Sequence, residues 1–168
     1  FYGDQRAVIN PLRVKNWILC EFEATMLLFF TGVSRDSAQI IAAQQANVAS
    51  GTADPIEATH AIKREAVAMK EALLKGDFPA IVDCMRTGWE NKKRLAQLVT
   101  NSHIDEILGV ASEAGAQAGK ASGAGGGGFL MLLVPPEKRM GVIRALARFG
   151  GQASNCHFTK QGAQAWRI

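Results

Sequence analysis

Between Gly119 and Gly128 the chain reads GKASGAGGGG, and the apolar run FLMLLV of residues 129–134 follows at once. Five of the six residues 123–128 are glycine, the residue that loses most backbone freedom on folding. Such a stretch is too glycine-rich to be helix or strand. Two readings are open: a flexible linker, or a rigid loop that needs positive φ angles and close backbone approach to another loop or a ligand. A slack tether would position the following strand poorly, so the rigid loop is favoured. Any fold for this chain must set a glycine loop at the mouth of a buried strand.

Residues 123–128 satisfy GxGxxG literally. A dinucleotide fold needs a strand before that motif and a helix after it, so that the helix N-terminus meets the pyrophosphate. Here a predicted helix precedes the loop and a strand follows. A Walker A reading also fails: Gly115 to Lys120 is one residue too short, and Ala121 replaces the Mg²⁺-binding hydroxyl.

Around the loop the periodicity predicts a short edge strand at residues 6–12, closed by proline. A helix is expected over 14–26, then a buried strand at 27–30 ending in Thr31-Gly32. Ser34 is placed to cap a helix with Arg35 and Asp36 in its first turn and Ala38, Ile41, Ala42, Gln45 and Val48 beyond. Asp54-Pro55-Ile56-Glu57 reads as a second helix start running to about Leu74, with Gly76 as its stop. Asp77 begins a helix through Phe78, Ile81, Met85, Trp89 and Ala96. Ser102 begins another, with Ile104, Ile107, Leu108 and Ala111 inward. After the central strand 129–134, Pro135-Pro136 opens a helix bearing Met140, Ile143 and Leu146, and Gly150-Gly151 turns into a last strand near 153–159. The class is α+β: helices on one face of a small, mostly antiparallel sheet.

The 168 residues suit one domain. With 48% hydrophobic and 20% charged residues, a disordered chain or coiled coil is excluded. The longest apolar run, 129–136, is far too short to span a bilayer. A net charge of +4, not bunched into a basic arm, gives nucleic-acid binding little support. Cys20, Cys84 and Cys156 form no CxxC pair and no disulfide framework, which favours a reducing cytoplasm. The chain has no initiator methionine and begins abruptly at Phe1, so it is expected to be a piece of something longer.

The segment Lys120 to Phe129 resembles the third signature motif of the GHMP small-molecule kinases. Phe30-Thr31-Gly32-Val33-Ser34-Arg35, Trp89 to Leu95 and the closing Gly162 to Arg167 resemble, within that superfamily, the D-glycero-D-manno-heptose 7-phosphate kinases. The likeness runs along essentially the whole chain. It implies that residues 1–168 form the C-terminal domain, a ferredoxin-like sandwich, of a two-domain enzyme. That enzyme would transfer the γ-phosphoryl of ATP, with Mg²⁺, to the anomeric hydroxyl of a sugar phosphate. The N-terminal domain would supply the phosphate-binding GLGSS-type loop, the catalytic acidic residue and most Mg²⁺ ligands. No GLGSS-like run occurs here, so this chain is expected to hold no catalytic residue and to be inactive alone. Ser122, Gly123, Ala124, Gly125, Gly126, Gly127 and Gly128 would buttress the phosphate loop and border the acceptor. A kinase of another sugar, such as fucose, or a non-catalytic module derived from such an enzyme, are the alternative readings.

Substrate contacts are sought among cations. Ser34 and Arg35 open a helix straight after a strand and a glycine, where free N–H groups, the helix dipole and a guanidinium favour an anion. The plain alternative is a capped helix with a solvated arginine. Lys92 falls amid Phe78, Ile81, Met85, Trp89 and Ala96 on the apolar face of its helix, so it must snorkel, suffer desolvation or meet an anion. Lys93, nearer the edge, is a weaker candidate for the same role. His60, His103 and His157 lack metal-ligand spacing, and no metal site is expected. Cys20 and Cys84 read as core residues, Asp54 and Glu57 as capping residues, and Trp89 and Trp166 as packing residues.

Overall fold

The computed structural model describes residues 9–33, 37–159, 162, 165 and 166. Helix α1 (Asn16–Thr25) leads directly into strand β1 (Met26–Phe30). Four helices follow: α2 (Ser37–Ala49), α3 (Ala53–Lys75), α4 (Phe78–Lys93) and α5 (Ser102–Glu113). The chain then forms the hairpin β2 (Ala118–Ala121) and β3 (Phe129–Leu133), helix α6 (Arg139–Leu146) and strand β4 (Gln152–Asn155). The sheet order is β2-β3-β1-β4, and every pairing is antiparallel. Strands β3 and β1 thus sit centrally, with helices connecting β1 to β2 and β3 to β4, the ferredoxin-like connectivity.

Successive strand residues point to opposite faces, and the core divides accordingly. Leu27, Phe29, Leu130 and Leu132 pack with Ile104, Ile107, Val142 and Leu146 of α5 and α6. Met26, Leu133 and Ala118 pack with Ala72, Ile81 and Met85 of α3 and α4. Helices therefore cover both faces, not one as the sequence suggested. A single-face layer would leave Met26 and Leu133, now 2% and 3% exposed, in water, and burying each such side chain is worth roughly 1.5–3 kcal/mol.

Element boundaries follow local chemistry. Gly76 ends α3 in the left-handed region at φ 72°, as expected. The Asp77 carboxylate accepts from the Ala80 N–H at 3.1 Å and caps α4. Several expectations need correction. Helix α3 starts at Ala53 with Thr52 outside it, so Asp54 and Glu57 are not capping residues; both bind Arg94, at 2.9 Å from Nε to Asp54 and 3.3 Å from Nη2 to Glu57. Asn101, not Ser102, caps α5, its Oδ1 accepting from Ile104 N at 3.0 Å. Residues 9–12 form no strand, and the rest of the expected 6–12 strand lies outside the described residues. Helix α4 stops at Lys93, short of Ala96, and β4 spans only Gln152–Asn155. Cys20 is exposed and Trp166 is 79% exposed, so neither is a core residue.

The largest correction concerns residues 118–121. They are strand β2, although three of the four, Gly119, Lys120 and Ala121, begin the glycine-rich stretch. Gly119 fits there because a Cβ would lie 2.6 Å from Leu108 and 2.8 Å from Leu132. The missing side chain lets α5 close onto the sheet.

Candidate functional site

With β2 in place, residues 122–128 become the loop of a hairpin rather than a link between helix and strand. Ser122 N donates to Phe129 O at 2.8 Å and closes the hairpin base. Gly123, Gly125, Gly126 and Gly128 have φ of 68°, 112°, 74° and 78°, a region that L side chains rarely adopt. Gly126 N donates to Val99 O at 2.9 Å, and the Asn101 side-chain amide donates to Gly126 O at 3.1 Å. Gly128 N donates to Val33 O at 2.7 Å, while Gly128 O accepts from Thr31 N at 2.9 Å. At Gly125 a Cβ would collide with the Val99 carbonyl. These bonds fasten the loop from three sides, and the linker reading is excluded.

The bonds also gather separate segments at one end of the sheet. The end of β1, the start of β3 and the Val99–Asn101 turn before α5 all meet the loop. Phe30 and Phe129 pack beside it with ring centroids 5.1 Å apart and planes tilted by 42°. Val33, held by Gly128, is the residue immediately before Ser34. Ser34 and Arg35 themselves lie outside the described residues.

Lys92 reaches the same place from α4. It is partly buried, and its ammonium donates to the Gly123 carbonyl. Burial, and then the neighbouring charge of Lys120, hold its pKa below the ordinary lysine value. Lys93 points elsewhere: its Nζ pairs with Glu90 at 2.8 Å, in a separate hollow beside Asp105 and Ser112. The two candidate lysines are therefore not brought together. Lys120 is the cation that sequence reasoning missed. Its signal was strand alternation, which the surrounding glycines obscured. Asn101 was missed because Ser102 is an equally good cap residue by type.

His60 and His103 are exposed, and His157 pairs with Glu23 at 3.2 Å. Among the described residues no group of three or more His, Cys, Asp or Glu is placed to hold a metal. No described helix is long and apolar enough to cross a membrane.

The family model for the C-terminal domain of GHMP kinases matches residues 69–152, half of the chain, from the last third of α3 to the start of β4. The chain belongs to the GHMP kinase C-terminal family. Over all 168 residues this GHMP kinase domain is 39% identical to the D-glycero-alpha-D-manno-heptose 7-phosphate kinase of Campylobacter jejuni, and it covers 49% of that protein. The crystal structure of a D-glycero-D-manno-heptose 1-phosphate kinase from Bacteroides thetaiotaomicron is 35% identical with a TM-score of 0.67, covering 98% of this chain and 42% of that one. The mevalonate kinase of L. major, at 18% identity, shares the fold alone: its TM-score is 0.67 over 73% of this chain and 37% of its own. The chain spans about half the length of the relatives it matches. The family match takes in the whole β2–β3 loop, Lys92, Lys120 and Asn101.

Proposed function

We propose that this chain is the C-terminal half of an ATP-dependent kinase that phosphorylates the anomeric hydroxyl of D-glycero-D-manno-heptose 7-phosphate. The observation that carries the reading is the 39% identity, along the entire chain, to a D-glycero-alpha-D-manno-heptose 7-phosphate kinase. The second heptose kinase bears a name that sets the phosphate at carbon 1, and the class common to both is a heptose phosphate. A cytoplasmic enzyme with its own N-terminal domain as partner fits this reading.

In this scheme the other half binds ATP and Mg²⁺. The chain has no GLGSS-like run and no described cluster suited to a metal, so none of its residues is assigned to either. Phosphoryl transfer is mostly positioning plus electrostatic stabilisation. The rigid loop Ser122–Gly128 supports both, as a fixed backbone wall that buttresses the phosphate loop and borders the acceptor. Arg35 and Lys92 neutralise the acceptor's own phosphate. An ammonium has three donors; one fixes Gly123, and the same group reaches an anion beside the loop. Arg35, next to Ser34, follows the Val33 carbonyl that Gly128 holds. Lys93 has no assigned role, since Glu90 engages it.

The test is steady-state kinetics of the full-length enzyme. Arg35→Ala and Lys92→Ala should each lower kcat/KM for the heptose phosphate about 10- to 100-fold, the worth of one charge-assisted hydrogen bond. The KM for ATP should scarcely change. Activity on the same sugar without its 7-phosphate should be poor and insensitive to either substitution. An equal loss on both sugars would show that neither residue reads the phosphate.

A further inference from the structure

A cleft of about 360 Å³ lies between the sheet face that carries Met26 and Met131 and the helices α3 and α4. Its volume falls in the range of small-molecule sites, which combine apolar walls with a few convergent polar groups. The walls are Phe22, Trp89 and four methionines, Met26, Met69, Met85 and Met131. Methionine is flexible and polarisable, and it suits a surface that must mould to an apolar guest. Lys92 and Lys120 line the same cleft. They stand close enough for the charge of Lys120 to act on Lys92. Glu65 and Cys84 are its other titratable groups, and burial first, then the neighbouring Glu65, hold the Cys84 thiol above its ordinary pKa. Two cations against the single carboxylate of Glu65 leave the apolar hollow with an excess positive charge, complementary to one added anion.

We infer that this cleft is a binding site for a small amphipathic anion, its apolar body among the methionines and its carboxylate between Lys120 and Lys92. The inference does not depend on the proposed kinase reaction. It does imply a route to the glycine loop, because the ammonium that meets the carboxylate also holds Gly123.

The probe is decanoate, with decanol as the uncharged control, titrated into full-length protein whose methionines carry ¹³C-labelled methyls. The chain contains five methionines, four of which line the cleft. Met140 lies outside it and is 58% exposed. Decanoate should shift Met26, Met69, Met85 and Met131 saturably and leave Met140 unmoved. Decanol should bind at least tenfold more weakly, and Lys120→Ala should weaken decanoate about tenfold. Gly88 also lines the cleft, and a Cβ there meets nothing within 4 Å. Gly88→Leu therefore fills the space without opposing its helix, and it should abolish the shifts. Equal affinity for decanol, unchanged affinity in Lys120→Ala, shifts that persist in Gly88→Leu, or no saturable shift at millimolar decanoate would each overturn the proposal. All four readouts are independent of catalysis, so failure of the kinase assignment leaves them interpretable.

Discussion

Gly123 and Gly125 are glycine for different reasons, and substitution separates them. Both have positive φ, but a Cβ at Gly123 meets nothing within 4 Å, whereas at Gly125 it strikes the Val99 backbone. Gly123→Ala should lower stability by about 1 kcal/mol, the backbone term alone. Gly125→Ala adds an overpacking term of roughly 1–3 kcal/mol, so chemical denaturation should show a clearly larger loss. Lys92 yields a pH-dependent prediction. Its folded pKa is depressed, first by burial and then by Lys120, so the folded state releases this proton at lower pH than the unfolded chain. The penalty is complete below the folded pKa and disappears as pH approaches the unfolded value, about 10.4. Stability of the parent relative to Lys92→Met should therefore rise over that upper range, measured as the difference between two denaturation series. A flat difference would mean that Lys92 is not desolvated.

At the scale of elements, Asn101 links a helix to the loop. It caps α5 through Ile104 N and donates to Gly126 O. Asp77 serves only as a cap in α4, through Ala80 N. Asp77→Ala should lower stability by about 1 kcal/mol. Asn101→Ala should lose about 2 kcal/mol, since a cap and a further hydrogen bond go together. Equal losses in urea denaturation would mean that the loop does not rely on Asn101. The helices were legible because their apolar residues recur at helical spacing over many turns, and Gly76 and Asp77 mark a stop and a start by well-defined local bonds. Strand β2 was not legible. Its four residues AGKA have no β-branched or aromatic member, and strand character there comes from pairing with β3 and closure of α5, which are tertiary effects. The same blind spot hid Lys120. Lys92 was legible because a cation on an apolar helix face is anomalous whatever surrounds it.

For the whole molecule, sheet and helices bring the β2–β3 loop, the end of β1, the turn before α5 and Lys92 to one end of the fold. Among the described residues no group of three or more His, Cys, Asp or Glu is placed to hold a metal, and in the proposed reading ATP, Mg²⁺ and the catalytic acid fall to the other half of the enzyme. On that reading the purified 168-residue chain should show no phosphoryl transfer and negligible ATP affinity, by coupled assay and calorimetry. Turnover by that chain alone would overthrow the two-domain reading. The most direct test of the central claim is ³¹P NMR of the full-length enzyme incubated with ATP, Mg²⁺ and D-glycero-D-manno-heptose 7-phosphate. The account predicts stoichiometric ADP and a new phosphate ester coupled to the anomeric proton, with the 7-phosphate signal retained. An ester at any other hydroxyl, or no ADP formed with this sugar while a parallel incubation with a different sugar consumes ATP, would contradict it.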